Sequence, residues 1–543
     1  MMAAVLPMVM SCNGWLTEDG PMTNRVEYFF TSAESAEQVV NAAYVPLMWE
    51  YQNTYYSEFF FGDVLSDDAL KGGQNLSDMS NAYDLENWKA ISNNEMVLQY
   101  YRANLQGIQR ANLAIEQIAK MEDRDGTFTE TLRARFLGEA HFLRAYYYFR
   151  LVRLYGGVPL VESPIYSSEQ WRVPRASVDE VYTLIMDDFK EAARTLPLKS
   201  EYEDAQLGRA TRGAAQAMLL KAYMYWGDYC RRNGDTKADT YYAESARQGA
   251  KFLADEAAEY SLCPKYEDNF TLEGENGQES VFEVQYMTEG TSDYGEGNGF
   301  SRGTFTTVLT RSRSSVYSIT GWGFNHPTQN LYDEFETGDP RREASIYNPA
   351  DDMITTPGDE IYLGNRYLGI KRTMMNADHT DYITTLDDHN SRAPINRIDI
   401  RLADVYLMYA EVSLRTGDTG TAKEYLEKVR ARARGTESIL PEFPAYKVPD
   451  YKAGYALHQL ADTAEDLELA IRHERRVELA MESHRWYDLC RWGIAKSVMD
   501  AYKSTESAEA QAQMGEFIEG KHELLPIPQE ECRLGGLEQN FGY

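Results

Sequence analysis

Apolar residues recur along this chain at spacings of three and four, in stripes that only packed helices can use. The longest is Leu132, Phe136, Ala140, Leu143, Tyr147, Leu151 and Leu154, which lie on one face of a helix of about 3.6 residues per turn. Gly156-Gly157 ends it. A second stripe is Ala215, Met218, Ala222, Trp226 and Tyr229, and a third is Leu402, Tyr406, Tyr409 and Ser413. The fourth, Ala422, Leu426, Val429 and Ala433, follows the third across Thr416-Gly417-Asp418-Thr419-Gly420. Residues 401–434 therefore read as a helical hairpin close to the roughly 34-residue length of a tetratricopeptide repeat, with small residues where its helices approach. Similar hairpins are expected around 98–155 and 178–254. Pairs that cannot bury their faces alone stack on each other into a curved scaffold. Thr31-Ser32-Ala33-Glu34 and Ser177-Val178-Asp179-Glu180 have the form of capping boxes, and the first sets the start of the folded body.

Residues 261–400 break the helical pattern. Residues 280–286 alternate, with Phe282, Val284 and Tyr286 on one side, and read as a short strand. Between 286 and 330 there are seven Gly and seven aromatics (Tyr286, Tyr294, Phe300, Phe305, Tyr317, Trp322, Phe324) and no helical stripe. Long structured loops on a rigid scaffold are where binding usually resides. The expected fold is mainly α, a tetratricopeptide-repeat helical scaffold with a loop-rich, aromatic and Gly-rich ligand-binding region and a few short strands. One domain spans 31–543, with helical repeats over 31–260, the loop-rich region over 261–400, and the last repeat with C-terminal helices over 401–543.

Lys and Arg number 54 against 85 Asp and Glu, a net charge of −31. Such a surface repels phosphate backbones and excludes nucleic acid as a partner. The 39 Tyr against 20 Phe supply rings with a hydrogen-bonding end, which suit polar ligands, although most Tyr are expected between helices. The five Cys (12, 230, 263, 490, 532) show neither zinc nor disulfide spacing. Cys12 stands apart: it follows an apolar run over 1–10 and closes Val9-Met10-Ser11-Cys12. The run is too short to span a bilayer, which takes roughly 20 apolar residues. It resembles a bacterial lipobox, with 1–11 as a lipoprotein signal peptide lacking its basic start, lipidation at Cys12, and 12–30 as a flexible tether.

Catalysis has little to stand on. Adjacent acids occur at Asp67-Asp68, Asp351-Asp352, Asp387-Asp388 and Glu530-Glu531, but a glycosidase needs two carboxylates separated across a sugar ring, not neighbours in sequence. HExxH, GxSxG, a P-loop and GxGxxG are all missing. Asp123-Arg-Asp125-Gly126 lacks the third acid of a calcium loop and reads as an interhelical turn. No cofactor and no metal are expected.

The stretch Ile471-Arg-His-Glu-Arg-Arg-Val-Glu-Leu-Ala-Met-Glu-Ser-His-Arg-Trp-Tyr-Asp-Leu-Cys-Arg-Trp-Gly493 resembles the most recognisable block of the SusD/RagB family. Its acids and bases interleave at helical spacing, Arg475 with Glu478, Glu482 with Arg485, and Arg485 with Asp488. By itself this reads as a solvated face, while Trp486, Trp492 and the preference for Arg favour partial burial. Arg401 to Glu411, Leu525-Pro-Ile-Pro-Gln529 with Gln539-Asn-Phe-Gly-Tyr543, Leu143-Arg144-Ala145 through Gly156-Gly157-Val158-Pro159, and Pro327-Thr328-Gln329 through Gly338-Asp339-Pro340-Arg341 also resemble that family, in the right order.

The resemblance implies a lipid-anchored, outward-facing protein of the outer membrane of a Bacteroidetes-type bacterium. It would sit on a SusC-like TonB-dependent transporter as partner and capture glycan without cleaving it. A RagB-like peptide-binding role is the alternative, and an intracellular repeat adaptor is disfavoured by the lipobox and the aromatic loop. A pyranose offers a C–H face for an aromatic ring and a hydroxyl rim for carboxylates, amides or Arg. The resemblance expects 60–90 and 286–330 to flank the ligand. The candidate rings are Trp322, Tyr317, Tyr294, Tyr286 and Trp88, with Asp67, Asp68 and Arg313 as hydroxyl partners. Against Trp88 and Trp322 stands the burial usual for large rings.

Overall fold

The computed structural model describes residues 30–50, 56–287, 303–310, 321–347, 368–369, 394–436, 440–506 and 508–543. Side-chain caps open most of the long helices. Asn94 accepts hydrogen bonds from the backbone N–H of Met96 at 3.0 Å and Val97 at 3.3 Å, Thr129 from Leu132 at 3.2 Å, and Thr211 from Ala214 at 3.0 Å. Each removes an orphan donor of the first turn. Ser177 and Glu180 form the expected reciprocal box. The first box differs: Ser32 is the cap and its partner is Ser35, whose Oγ accepts from the Ser32 N–H at 3.2 Å. Thr31 and Glu34 lie one residue too early, because the extended backbone that a cap requires falls at Ser32.

The scaffold helices are α1 (Ala33–Tyr44), α2 (Glu95–Lys120), α3 (Glu130–Tyr155), α4 (Val178–Thr195), α5 (Arg212–Arg232), α6 (Ala238–Asp255), α7 (Leu402–Arg415) and α8 (Thr419–Arg434). They pack in sequence order, α1 on α2, α2 on α3, and so on to α8, with α7 closing against both α5 and α6. This is the stacked arrangement that the stripes predict. The region 178–254 holds three helices where a hairpin was expected. The chain leaves α4 at Thr195, and Pro197 cannot continue a helix. The 401–434 hairpin forms as read, with Ala403, Ala410, Ala422 and Ala433 buried, although Thr419 and Gly420 already belong to α8. From Phe142 to Val152 α3 is buried all round, because α2 and α4 pack on it and Phe282 and Tyr225 meet Phe142 and Phe149. A close approach occurs at Gly107 of α2, where a Cβ would lie 2.3 Å from the Tyr147 ring.

Strands are few. Antiparallel pairs join β1 (Ala69–Gly72) to β3 (Phe324–Pro327) and β2 (Ser280–Val284) to β4 (Arg397–Arg401). The strand expected at 280–286 is therefore present, but every residue of β2 is buried, Glu283 included. Both faces of β2 are covered, so its alternation does not separate an inside from an outside.

The charged block forms α9 (Ala464–Glu478) and α10 (Arg485–Trp492), both largely buried. The partners of its charges sit mainly on other elements. Arg475 pairs with Asp404 of α7 at 2.9 Å and with Asp488 at 3.0 Å. Glu478 meets Arg341 at 2.9 Å and Arg401 at 2.5 Å, while Glu482 meets Arg401 at 2.9 Å. Arg491 reaches Glu411 at 2.6 Å and Asp228 at 3.0 Å. A solvated charged face is thus replaced by a buried ionic lattice joining α5, α7, α9 and α10. Forked Arg suits such desolvated pairing because its several fixed donors meet several carboxylates at once.

Candidate ligand-binding face

The described part of the aromatic region is built around Glu50. Its carboxylate accepts from Tyr286 Oη at 2.8 Å, Thr304 Oγ1 at 2.6 Å, Phe305 N at 2.8 Å and Thr306 N at 3.2 Å. Two of those donors are backbone N–H groups at the start of the short helix Thr306–Thr310, so a buried acid from the N-terminal segment fixes where the loop returns. Trp322 follows: its N–H donates to Val308 O at 2.7 Å, and its ring meets Phe305 edge-on with centroids 6.0 Å apart. Gly323 then turns the chain into β3, which pairs with β1. Gly72 of β1 accommodates that turn, because a Cβ there would lie 2.2 Å from Gly323 O.

Beneath this sheet lie Asp67 and Asp68, and here the structure corrects the sequence reading. Both carboxylates are buried, Asp67 at 0% exposure, and both face guanidinium groups. Arg485 forks onto Asp67 through Nε at 2.8 Å and Nη2 at 2.9 Å. Arg476 reaches Asp67 Oδ2 at 2.9 Å, Asp68 Oδ1 at 2.9 Å and Glu334 at 2.7 Å. Burial pushes the Asp67 carboxyl up, but Arg476 and Arg485 outweigh it and bring it down to about 2. In Asp68 burial prevails, aided by the charge of Asp67, and its carboxyl rises to about 6. Thr328 adds a hydroxyl bond to Asp67 O at 2.7 Å and an N–H bond to Asp68 O at 2.9 Å. These acids bolt the β1–β3 sheet to α9 and α10, and their carboxylate oxygens are engaged by Arg476 and Arg485.

Trp88 and Tyr286 are corrected likewise, both 7% exposed. Trp88 packs edge-on against Phe517 at 5.4 Å, and Tyr286 spends its hydroxyl on Glu50. Burial of their large rings repays more than exposure would. Trp322 stays half-buried. Tyr294, Tyr317, Arg313 and the Cys12 lipobox lie outside the described residues. Glu50 was not singled out in the sequence, and no local signal marks it: an isolated acid between Trp49 and Tyr51 acquires its role only through donors more than 200 positions away.

Among the described residues no group of three or more His, Cys, Asp or Glu is placed to hold a metal ion. Asp67, forked by one guanidinium and touched by a second, is not poised to take a proton. In the same residues no helix is long and apolar enough to cross a membrane.

A stack of paired helices, with the β1–β3 sheet tied to its C-terminal helices by buried ion pairs, defines a helical-repeat scaffold protein. A family model described as the SusD family matches residues 278–543, and one described as starch-binding associating with outer membrane matches 15–224. The chain belongs to the SusD family. SusD-like protein P2 of Formosa agariphila is 25% identical over 521 residues, 92% of this chain and 90% of that relative. A solved structure named a laminarin-binding SusD-like protein superposes with a TM-score of 0.75 at 29% identity, covering 95% of this chain and all of its own. Surface glycan-binding protein A from Bacteroides fluxus superposes with a TM-score of 0.75 at 26% identity, over 94% of this chain and 100% of its own.

Proposed function

We propose that this chain is a cell-surface lipoprotein that captures a polysaccharide of the laminarin kind, without cleaving it, and delivers it to a SusC-like TonB-dependent transporter. The observation that carries this reading is the likeness, over 95% of the chain, to a SusD-like protein named for laminarin binding. The half-buried Trp322 on a fixed backbone supports it, since an immobilised ring stacks on a sugar face at little entropic cost. Tyr294, Tyr317 and Arg313 are proposed to complete the contact, and the lipid on Cys12 to hold the protein at the outer membrane.

Native electrophoresis through gels containing laminarin is the test. Retardation, with the polymer recovered at its original length after hours of incubation, is the expected result. Free mobility would overturn the glycan reading, and release of new reducing ends would overturn the non-catalytic one. For the anchor, Cys12→Ala is expected to lose an acyl label and leave the membrane fraction; a variant that remains acylated would refute lipidation there.

A further inference from the structure

Among the described residues one tyrosine is exposed, Tyr166, at 62%. It lies on the connection between α3 and α4, far in sequence from the loop face, and it is held rigidly. Asn112 Nδ2 donates to Val161 O at 2.7 Å, and the Gln109 amide bonds Ile165 twice, accepting from its N–H at 3.2 Å and donating to its carbonyl at 3.3 Å. Tyr166 Oη donates to Glu116 Oε1 at 3.0 Å and lies 3.4 Å from Gln117 Nε2. Gln170 Oε1 accepts from the Tyr166 N–H at 2.8 Å. Gln109, Asn112 and Glu116 stand three and four apart, so one polar face of α2 grips the connection. Five residues on, Trp171 is half-buried, with the exposed Arg172 guanidinium 5.5 Å over its ring.

We infer that this connection is a second carbohydrate contact, in which the Tyr166 ring takes a pyranose C–H face and Trp171 with Arg172 extends the platform. The ring is immobilised at both its backbone and its hydroxyl, so little freedom remains to be lost on stacking. Around it stand Glu116, Gln117 and Gln170, with Lys120 Nζ 3.0 Å from Glu116 Oε1, the acceptors and donors that a hydroxyl-rich ligand requires. A polymer touching two separate places gains affinity that a short oligomer cannot. The inference rests on the glycan reading above.

The test compares wild type, Tyr166→Ala and Tyr166→Phe, using laminarin in affinity gels and laminarihexaose in calorimetry. Tyr166→Ala is expected to weaken the polymer by about threefold to tenfold, the scale of one aromatic contact. Its hexaose affinity and melting temperature should stay at wild-type values, and Tyr166→Phe should retain most of the polymer affinity. Unchanged polymer affinity in Tyr166→Ala overturns the second contact. An equal loss for polymer and hexaose also overturns it, since the residue would then belong to a single site. Wild-type protein that laminarin does not retard refutes the glycan reading and this inference together.

Discussion

Two side chains from the same sequence reading part company at the residue scale. Trp322 is half-buried, and Trp322→Ala is expected to cost about 1–3 kcal/mol of laminarin affinity, the worth of one large apolar contact. Melting temperature should move less than for a fully buried ring, because Trp322 is only partly buried where it meets Phe305. Calorimetry and thermal unfolding of the one variant check both halves. Asp67 should behave in the opposite way. Removing its carboxylate leaves Arg485 and Arg476 buried with less compensation, a change that typically costs about 3–5 kcal/mol. Asp67→Ala is therefore expected to shift the denaturant midpoint strongly while the folded fraction binds laminarin as before. A stable Asp67→Ala protein that no longer binds would return this residue to the ligand.

Among the elements, the α2–α3 contact sets how the scaffold stacks. Alanine in place of glycine favours a helix by about 1 kcal/mol, so propensity by itself predicts that Gly107→Ala stabilises. Packing opposes it: the new Cβ would fall 2.3 Å from the Tyr147 ring, which is buried and tied through its hydroxyl to Ala43 O at 2.7 Å. Overpacking of a closed core costs about 1–3 kcal/mol, and it should win. Urea unfolding of Gly107→Ala is expected to give a lower midpoint at an unchanged slope. A raised midpoint would mean that the ring can move aside. The β1–β3 sheet shows the same dependence on neighbours, since it is attached to α9 and α10 through Asp67 and Asp68 rather than through a larger sheet.

For the whole molecule, the buried ionic lattice makes stability depend on pH. His473 lies between Glu334 at 2.7 Å and Glu336 at 3.4 Å. Burial would lower its pKa, but the hydrogen bonds and charges of the two glutamates outweigh burial and raise it to about 9. An unfolded histidine titrates near about 6.5. The folded state therefore holds the proton more tightly, and the resulting stability is complete below pH 6.5 and lost as pH rises toward about 9. His473→Gln should be less stable than wild type at pH 6, with the gap narrowing by pH 9. A gap that stays constant across that window would show that the folded imidazole titrates as it does in the unfolded chain.

Local spacing carried the fold in this chain. Helical stripes, the 401–434 hairpin and the Ser177 box depend on residues a few positions apart, and those were legible before any coordinate. The loop region was legible as a break in the helical pattern, because glycine and aromatic residues cluster there without a helical period. What tertiary structure alone decided is which charges and rings are inside. Asp67 and Asp68 look like solvent-facing acids until Arg476 and Arg485 arrive from about 400 positions away, and Glu50 has no visible purpose until Thr304 and Tyr286 close on it. A buried ion pair is stable only when both partners are desolvated together, and that condition is set by chain segments whose meeting no local pattern encodes.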